Sequence, residues 1–211
     1  MRIHRLLPLA VLALGGLSLG SGCPTIPKIQ DRVVELAVGG TTTLDFVADG
    51  STNTWSGNAT YDLADLDINS LLGDSGIDLQ HVKSITLSGV SYRVSVPDQT
   101  ASRTITSGAV LASRSGGGGP VTLLTGFHGP ADVETPFTTA SVQPDGVTMI
   151  NQLLADILAA AKTGTPVANS TITYDYNGES TPTGVPTHFT WQLKLDLSIV
   201  GDVKVKVLDG D

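Results

Sequence analysis

Asp65, Asp67 and Asn69 alternate along the chain as the first three oxygen ligands of a calcium loop do, with Asp62 and Asp74 close by. The match stops there. Ser70 stands where the sharp-turn glycine belongs, and no Glu supplies the bidentate oxygen pair that completes such a loop. Leu63, Leu66, Leu71 and Leu72 make the same stretch an amphipathic turn or two with a solvated acidic face, and that is the reading adopted. His81, His128 and His188 are scattered singly, without the paired spacing of a zinc-binding helix. No Gly-x-Ser-x-Gly elbow is present to expose a nucleophilic serine. The glycine run Gly116 to Gly119 lacks the Lys-Ser or Lys-Thr and the following helix of a phosphate loop, so it reads as a hairpin tip. Neither a catalytic set nor a cofactor is expected, and the chain is not read as an enzyme.

One residue has chemistry of a different kind. Arg2 and Arg5 precede an apolar run from Leu6 to Leu19, and Gly20, Ser21 and Gly22 lead into Cys23, the single cysteine. Charge, short apolar core and small-residue exit form an export signal. The run falls short of the roughly 20 apolar residues a spanning helix needs. An unpaired thiol in an exported protein is exposed to oxidation unless something occupies its sulfur. These 23 residues resemble a bacterial lipoprotein signal, in which the cysteine after the small residues is diacylated and becomes the new N-terminus. The resemblance implies lipidation at Cys23, loss of residues 1–22, and a membrane anchor at the bacterial cell envelope. Pro24 follows the cysteine where an Asp would signal inner-membrane retention, so the outer membrane or cell surface is the expected station.

Loss of the leader removes two arginines and leaves the rest more acidic than the formal charge of −8 of the whole chain. Nucleic acid is therefore not an expected partner, since its backbone demands clustered Lys and Arg. Because the export signal resembles a bacterial one, Asn58 and Asn169 read as accidental glycosylation acceptors. Residues 23–30, with Pro24 and Pro27, read as a lipidated N-terminus and tether. Residues 31–211 are long enough for one substantial core.

The elements that position these residues are mostly strands. From Phe189, apolar side chains fall on every second residue through Trp191, Leu193, Leu195, Leu197 and Ile199, and the parity continues past Gly201 in Val203, Val205 and Val207. Unbroken, the run is far longer than a usual strand, so a bend or a three-residue hairpin is expected at Gly201. Ile85 and Leu87 are apolar at odd positions, while Val90, Tyr92, Val94 and Val96 are apolar at even ones. A β-bulge near Gly89 restores a common face. Further strands are expected at 32–38, 43–48, 53–61, 102–112, 120–127, 135–142 and 170–176.

The period changes after Pro144. Asp145 is placed to cap a helix near 146–162, with Ile150, Leu153, Leu154, Ile157, Leu158 and Ala161 as its buried stripe and Gly164 as its stop. A weaker helix is read from Leu63 to Leu72.

The expected fold is mainly β: an antiparallel β-sandwich, jelly-roll or immunoglobulin-like, with one amphipathic helix. The expected role is a lipid-anchored envelope module for binding, adhesion or structure, meeting an envelope protein or glycan through its end loops. The alternative is a carrier of an apolar molecule, whose cavity would lie between helix and sheet at Ile150, Leu154, Leu158 and Trp191.

Overall fold

A computed structural model of the chain describes residues 29–208. Strands β1 (Ile29–Gly50), β2 (Thr54–Asp62) and β3 (Val82–Val96) come first, with the short helix α1 (Ile68–Leu72) between the last two. Next come β4 (Thr104–Arg114), β5 (Val121–Thr125) and three two-residue pieces: β6 (Gly129–Pro130), β7 (Thr138–Thr139) and β8 (Ser141–Val142). Helix α2 (Pro144–Thr163), β9 (Thr171–Thr181) and β10 (Thr187–Leu208) complete the order.

All neighbouring strands pair antiparallel. One layer runs β7-β3-β10-β1 and the other β2-β9-β4-β5-β8, with β6 beside β4. The layers join through a single rung, Asp49 opposite Ser56. Among the eight principal strands, β1 pairs with β10, β2 with β9, β3 with β7 and β4 with β5. This outermost-with-outermost nesting is a jelly roll and sets aside the immunoglobulin-like alternative.

Alternation builds the core. Phe189, Trp191, Leu193, Leu195, Leu197 and Ile199 are all buried on one face of β10, opposite Leu44, Phe46 and Ala48 of β1. Trp191 stacks on Phe46 with ring centroids 4.5 Å apart and meets Phe127 at 4.9 Å. In the other layer Trp55 lies over Gly108 and Gly178, where a methyl group on Gly178 would come within 2.2 Å of its ring. Where β1 and β2 part, Tyr61 donates to the Asp45 carbonyl and Tyr176 to the Val47 carbonyl, which satisfies an otherwise open strand edge.

The bulge falls where the phase change placed it. Asp196 pairs with Gly89 and Leu197 with Leu87, leaving Ser88 as the extra residue. Gly201 does not turn the chain. β10 continues through it as one long strand whose 22 residues all pair with β1, so the hairpin is set aside and the strands expected at 32–38 and 43–48 are one, while the register against β3 shifts between Val200 and Gly201. The glycine is needed for close approach instead: a Cβ there would lie 2.6 Å from Ile77 Cγ2 and 3.0 Å from the His81 carbonyl. The strand expected at 135–142 is broken, because Thr138–Thr139 pairs with β3 and Ser141–Val142 pairs with β5. The chain thus crosses between layers at Ala140, whose N–H bonds the Val90 carbonyl at 2.8 Å.

Helix α2 packs on β3 and β5 and covers the side of the sandwich that this crossing leaves open. Its cap is Gln143, not Asp145. Pro144 occupies the first turn, Asp145 follows inside it, and no side chain caps the helix. Ala160 is buried in place of the expected Ala161, while Gly164 closes the helix in the left-handed conformation at φ 67°. The Leu63–Leu72 helix is split. A 3-10 turn over Leu63–Asp65 stops at Leu66, whose extended backbone precedes α1, and Asp62 and Asp67 cap the two pieces.

Candidate functional site

The loops divide between two ends. The β1–β2, β3–β4, β5–β7 and β9–β10 connections share one end of the sandwich, opposite the end at which β1 begins and β10 finishes. At the loop end Arg103 is fully buried against an equally buried Asp98, with Nε 3.0 Å from Oδ2. Its Nη1 donates to Ser180 Oγ at 3.0 Å and its Nη2 to the Pro186 carbonyl at 2.6 Å. Asp98 also accepts the backbone N–H groups of Thr100 at 2.8 Å and His188 at 3.0 Å, and the Thr100 hydroxyl at 2.5 Å. Burial opposes ionisation of Asp98, but these hydrogen bonds together with Arg103 outweigh it and hold the carboxyl below its ordinary value. Thr187 donates to the Thr52 carbonyl and Ser180 N–H to the Asn53 carbonyl, so one buried cation ties three connections into a fixed surface.

Next to that surface lies an exposed apolar rung. Val47 and Val96 both face Thr190, and Val133 precedes Thr135, whose N–H bonds the Val94 carbonyl on the edge of β3. Among the described residues five large hydrophobics are exposed, and these three gather here. The exposed pair His188 and Asp49 rims the rung on one side. On the other, Gln192 joins Asp45 to Arg93, and Arg93 pairs with Glu134. The other two exposed valines, Val33 and Val34, lie near the opposite end.

The expected site residues fall elsewhere. Cys23 lies outside the described residues. Asp67 is committed to capping α1 through Ser70 N–H, Asp65 lies in the 3-10 turn, and Asn69 is in α1. Among the described residues no three His, Cys, Asp or Glu side chains converge as a metal site. His128 bonds the Gly126 carbonyl at 2.5 Å, and His81 sits in an exposed 3-10 turn.

Ile150, Leu154, Leu158 and Trp191 share one buried cluster with both layers. That core also holds Tyr174 OH and Trp191 Nε1 without hydrogen-bond partners. Burial raises the Tyr174 phenol far above its ordinary value, so it stays neutral.

Three surface depressions flank α2: one of about 560 Å³ beside its C-terminal half, one of about 350 Å³ under the Gly117–Gly119 tip, and one of about 290 Å³ between Ile157, Ala161 and the Leu66–Asn69 segment. Arg114 borders the first two, yet its guanidinium is already committed to the Asn169 and Ala168 carbonyls and to Asp156.

The loop-end hub went unread in the sequence because its parts are far apart along the chain. In the sequence only Pro97, which cannot donate to a sheet and so ends the strand before Asp98, marks its position.

No protein-family model and no curated protein matches the chain. Among solved structures, that of Desmodium yellow mottle tymovirus is similar at 13% identity, covering 98% of this chain and 100% of that one, with a TM-score of 0.27. A structure of the empty head of turnip yellow mosaic virus is similar at 12% identity over 89% of this chain and 90% of that one, with a TM-score of 0.24. Scores this low carry no argument, and the jelly-roll assignment stands on the strand pairings alone.

Proposed function

We propose that this chain is a display module of the bacterial cell envelope, anchored through lipid on Cys23 and presenting its loop end to a protein partner. The observation that carries the reading is the valine rung at Val47, Val96 and Val133, set beside loops that Arg103 holds rigid. Exposed apolar surface with a polar rim is the usual mark of a protein contact. Loops fixed before binding lose little entropy on binding. The carrier alternative is weaker, because the helix and sheet residues that would line its cavity are buried against one another.

Photo-crosslinkers placed at Gln99 and Gly184 test the loop end in intact cells. Discrete protein adducts from these positions, absent when the crosslinker is moved to exposed Ala155 of α2, are the expected result. Equal labelling from all three positions, or glycan adducts only, would overturn the protein-display reading. The mass of the N-terminal peptide tests the anchor separately. A diacylglyceryl thioether on Cys23 is expected, and a free thiol or an intact leader contradicts it.

A further inference from the structure

We propose that the outer edge of β1 is a dimer edge, along which β1 of a second copy pairs antiparallel about a two-fold axis at Val34. Tyr61 of β2 and Tyr176 of β9 donate to the carbonyls of Asp45 and Val47, so these odd-numbered residues face away from β10. β1 pairs with β10 without a register shift from Ile29 to Gly50. Backbone groups alternate sides along a strand, and every odd residue of β1 therefore turns its N–H and C=O away from β10. β2 meets that edge only at Asp49. Among the described residues, Asp31, Val33, Glu35, Ala37 and Gly39 have no backbone partner on it.

The opposite edge of the same layer is covered. Along β3, Asn151 accepts the Leu87 N–H, Ala140 donates to the Val90 carbonyl, Thr135 bonds both backbone groups of Val94, and Lys162 reaches the Val82 carbonyl. An uncovered edge is a template for a further strand, which sheets commonly blunt with a proline or a bulge. From 31 to 39, β1 has neither.

Charge selects the partner and the register. In a two-fold antiparallel pairing each residue faces one of its own parity in the second copy. Like charges directly opposite destabilise a sheet. An axis at Arg32 or at Glu35 opposes that residue to itself, and an axis at Val33 opposes Asp31 to Glu35. An axis at Leu36 sets Asp31 against Thr41, which is buried. With the axis at Val34, that residue faces itself, Val33 faces Glu35, Arg32 faces Leu36 and Asp31 faces Ala37, and no like charges meet. The odd pairs then exchange the N–H and C=O groups that each copy leaves open. Lys204, opposite Val33 within one copy, comes to share a row with Glu35 of the second copy.

Disulfide formation reads this register. At the axis two Val34 Cα atoms lie about 4.5 Å apart, within a disulfide's reach, whereas two Val33 Cα atoms lie roughly 8 Å apart, beyond it. The full-length chain carrying Cys23→Ser is purified in detergent and treated with a mild oxidant. Val34→Cys is expected to give a species of twice the chain's mass about tenfold faster than Val33→Cys. Chance collision would favour Val33, which is 63% exposed against 45% for Val34. Equal rates, or a faster Val33→Cys, overturn the pairing. Val33→Pro removes an N–H that one copy does not use, so linking at Val34→Cys should fall about tenfold while Tm holds. Val33→Asp sets an acid against Glu35 without touching the backbone, and it should slow the same linking. Undiminished linking in Val33→Asp overturns the pairing. Oxidation of Val34→Cys in intact cells should again double the chain's mass, and an adduct to a different protein there would give the edge to a foreign strand and overturn the dimer.

Discussion

Arg103 is a long cation withdrawn from water, and its burial is tolerable only because each of its contacts is a charge or a lone pair. Removing either partner of such a pair strands a buried charge. Arg103→Leu is expected to cost about 3–5 kcal/mol. At about 2–4 °C per kcal/mol for a domain of this size, Tm should fall by roughly 6–20 °C in a thermal melt. The double variant Arg103→Leu with Asp98→Asn should recover part of the loss, and a double variant no better than Arg103→Leu would contradict the coupling. Asp98 also gives the pH dependence a sign. Its folded pKa lies below the ordinary 3.8, so its stabilisation is complete above that value and is lost as pH falls through the folded pKa. Acid destabilisation below about pH 4 should therefore be shallower in Asp98→Asn than in the wild type when melts are compared across that range.

At the scale of the element, alternation was the reliable guide and glycine the ambiguous one. The parity of Phe189 to Val207 and the phase change between Leu87 and Val90 locate β10 and the β3 bulge, because strand period and bulge geometry are local. What Gly201 does depends on Ile77 and His81, which reach it from a distant segment, and no local rule separates a turn glycine from a close-approach glycine. Gly201→Ala decides the matter. Contact with Ile77 Cγ2 and the His81 carbonyl is expected to cost about 1–3 kcal/mol, seen as a lower urea midpoint, and Ile77→Ala should restore part of it. An unchanged midpoint would return Gly201 to the role of a bend. Helix α2 was legible for the same reason as β10: its stripe repeats at three and four, and the structure buries Ile150, Leu153, Leu154, Ile157 and Leu158 along it. Leu154→Asp should unfold the domain or nearly so, because the carboxylate would enter a core that offers it no partner. Its cap was misread because Pro144 accepts the first helical position and moves the boundary two residues earlier.

At the scale of the molecule, apolar and charged groups left over after folding sort to the two ends. Val47, Val96 and Val133 lie by the fixed loops, and at the far end of the β1–β10 pair Val33 shares a face with Lys204 and Lys206 while Val34 shares the other with Arg32. The sequence shows these residues but not their gathering, since Val47, Val96 and Val133 meet only through the β1–β10–β3 pairing. The same nesting of strands makes the two layers interdependent. Trp191 belongs to one layer and Trp55 to the other, yet both touch Phe127, at 4.9 and 5.9 Å, and both are buried in a single cluster. Layers that share their aromatic centre cannot come apart one at a time without exposing it. Urea unfolding followed by fluorescence should therefore give the same midpoint for Trp55→Phe, which reports Trp191, and for Trp191→Phe, which reports Trp55, once each is referred to its own circular-dichroism curve. Distinct fluorescence and circular-dichroism midpoints within either variant would show that the layers unfold separately. The end of the β1–β10 pair beyond Gly201 joins this unit more loosely, with no third strand and Val203 packed on the core. In the monomer its amides at 29–35 and 202–208 should exchange with deuterium faster than those of Leu193 or Tyr174, because a single cross-strand partner holds them and their side chains are at most half-buried.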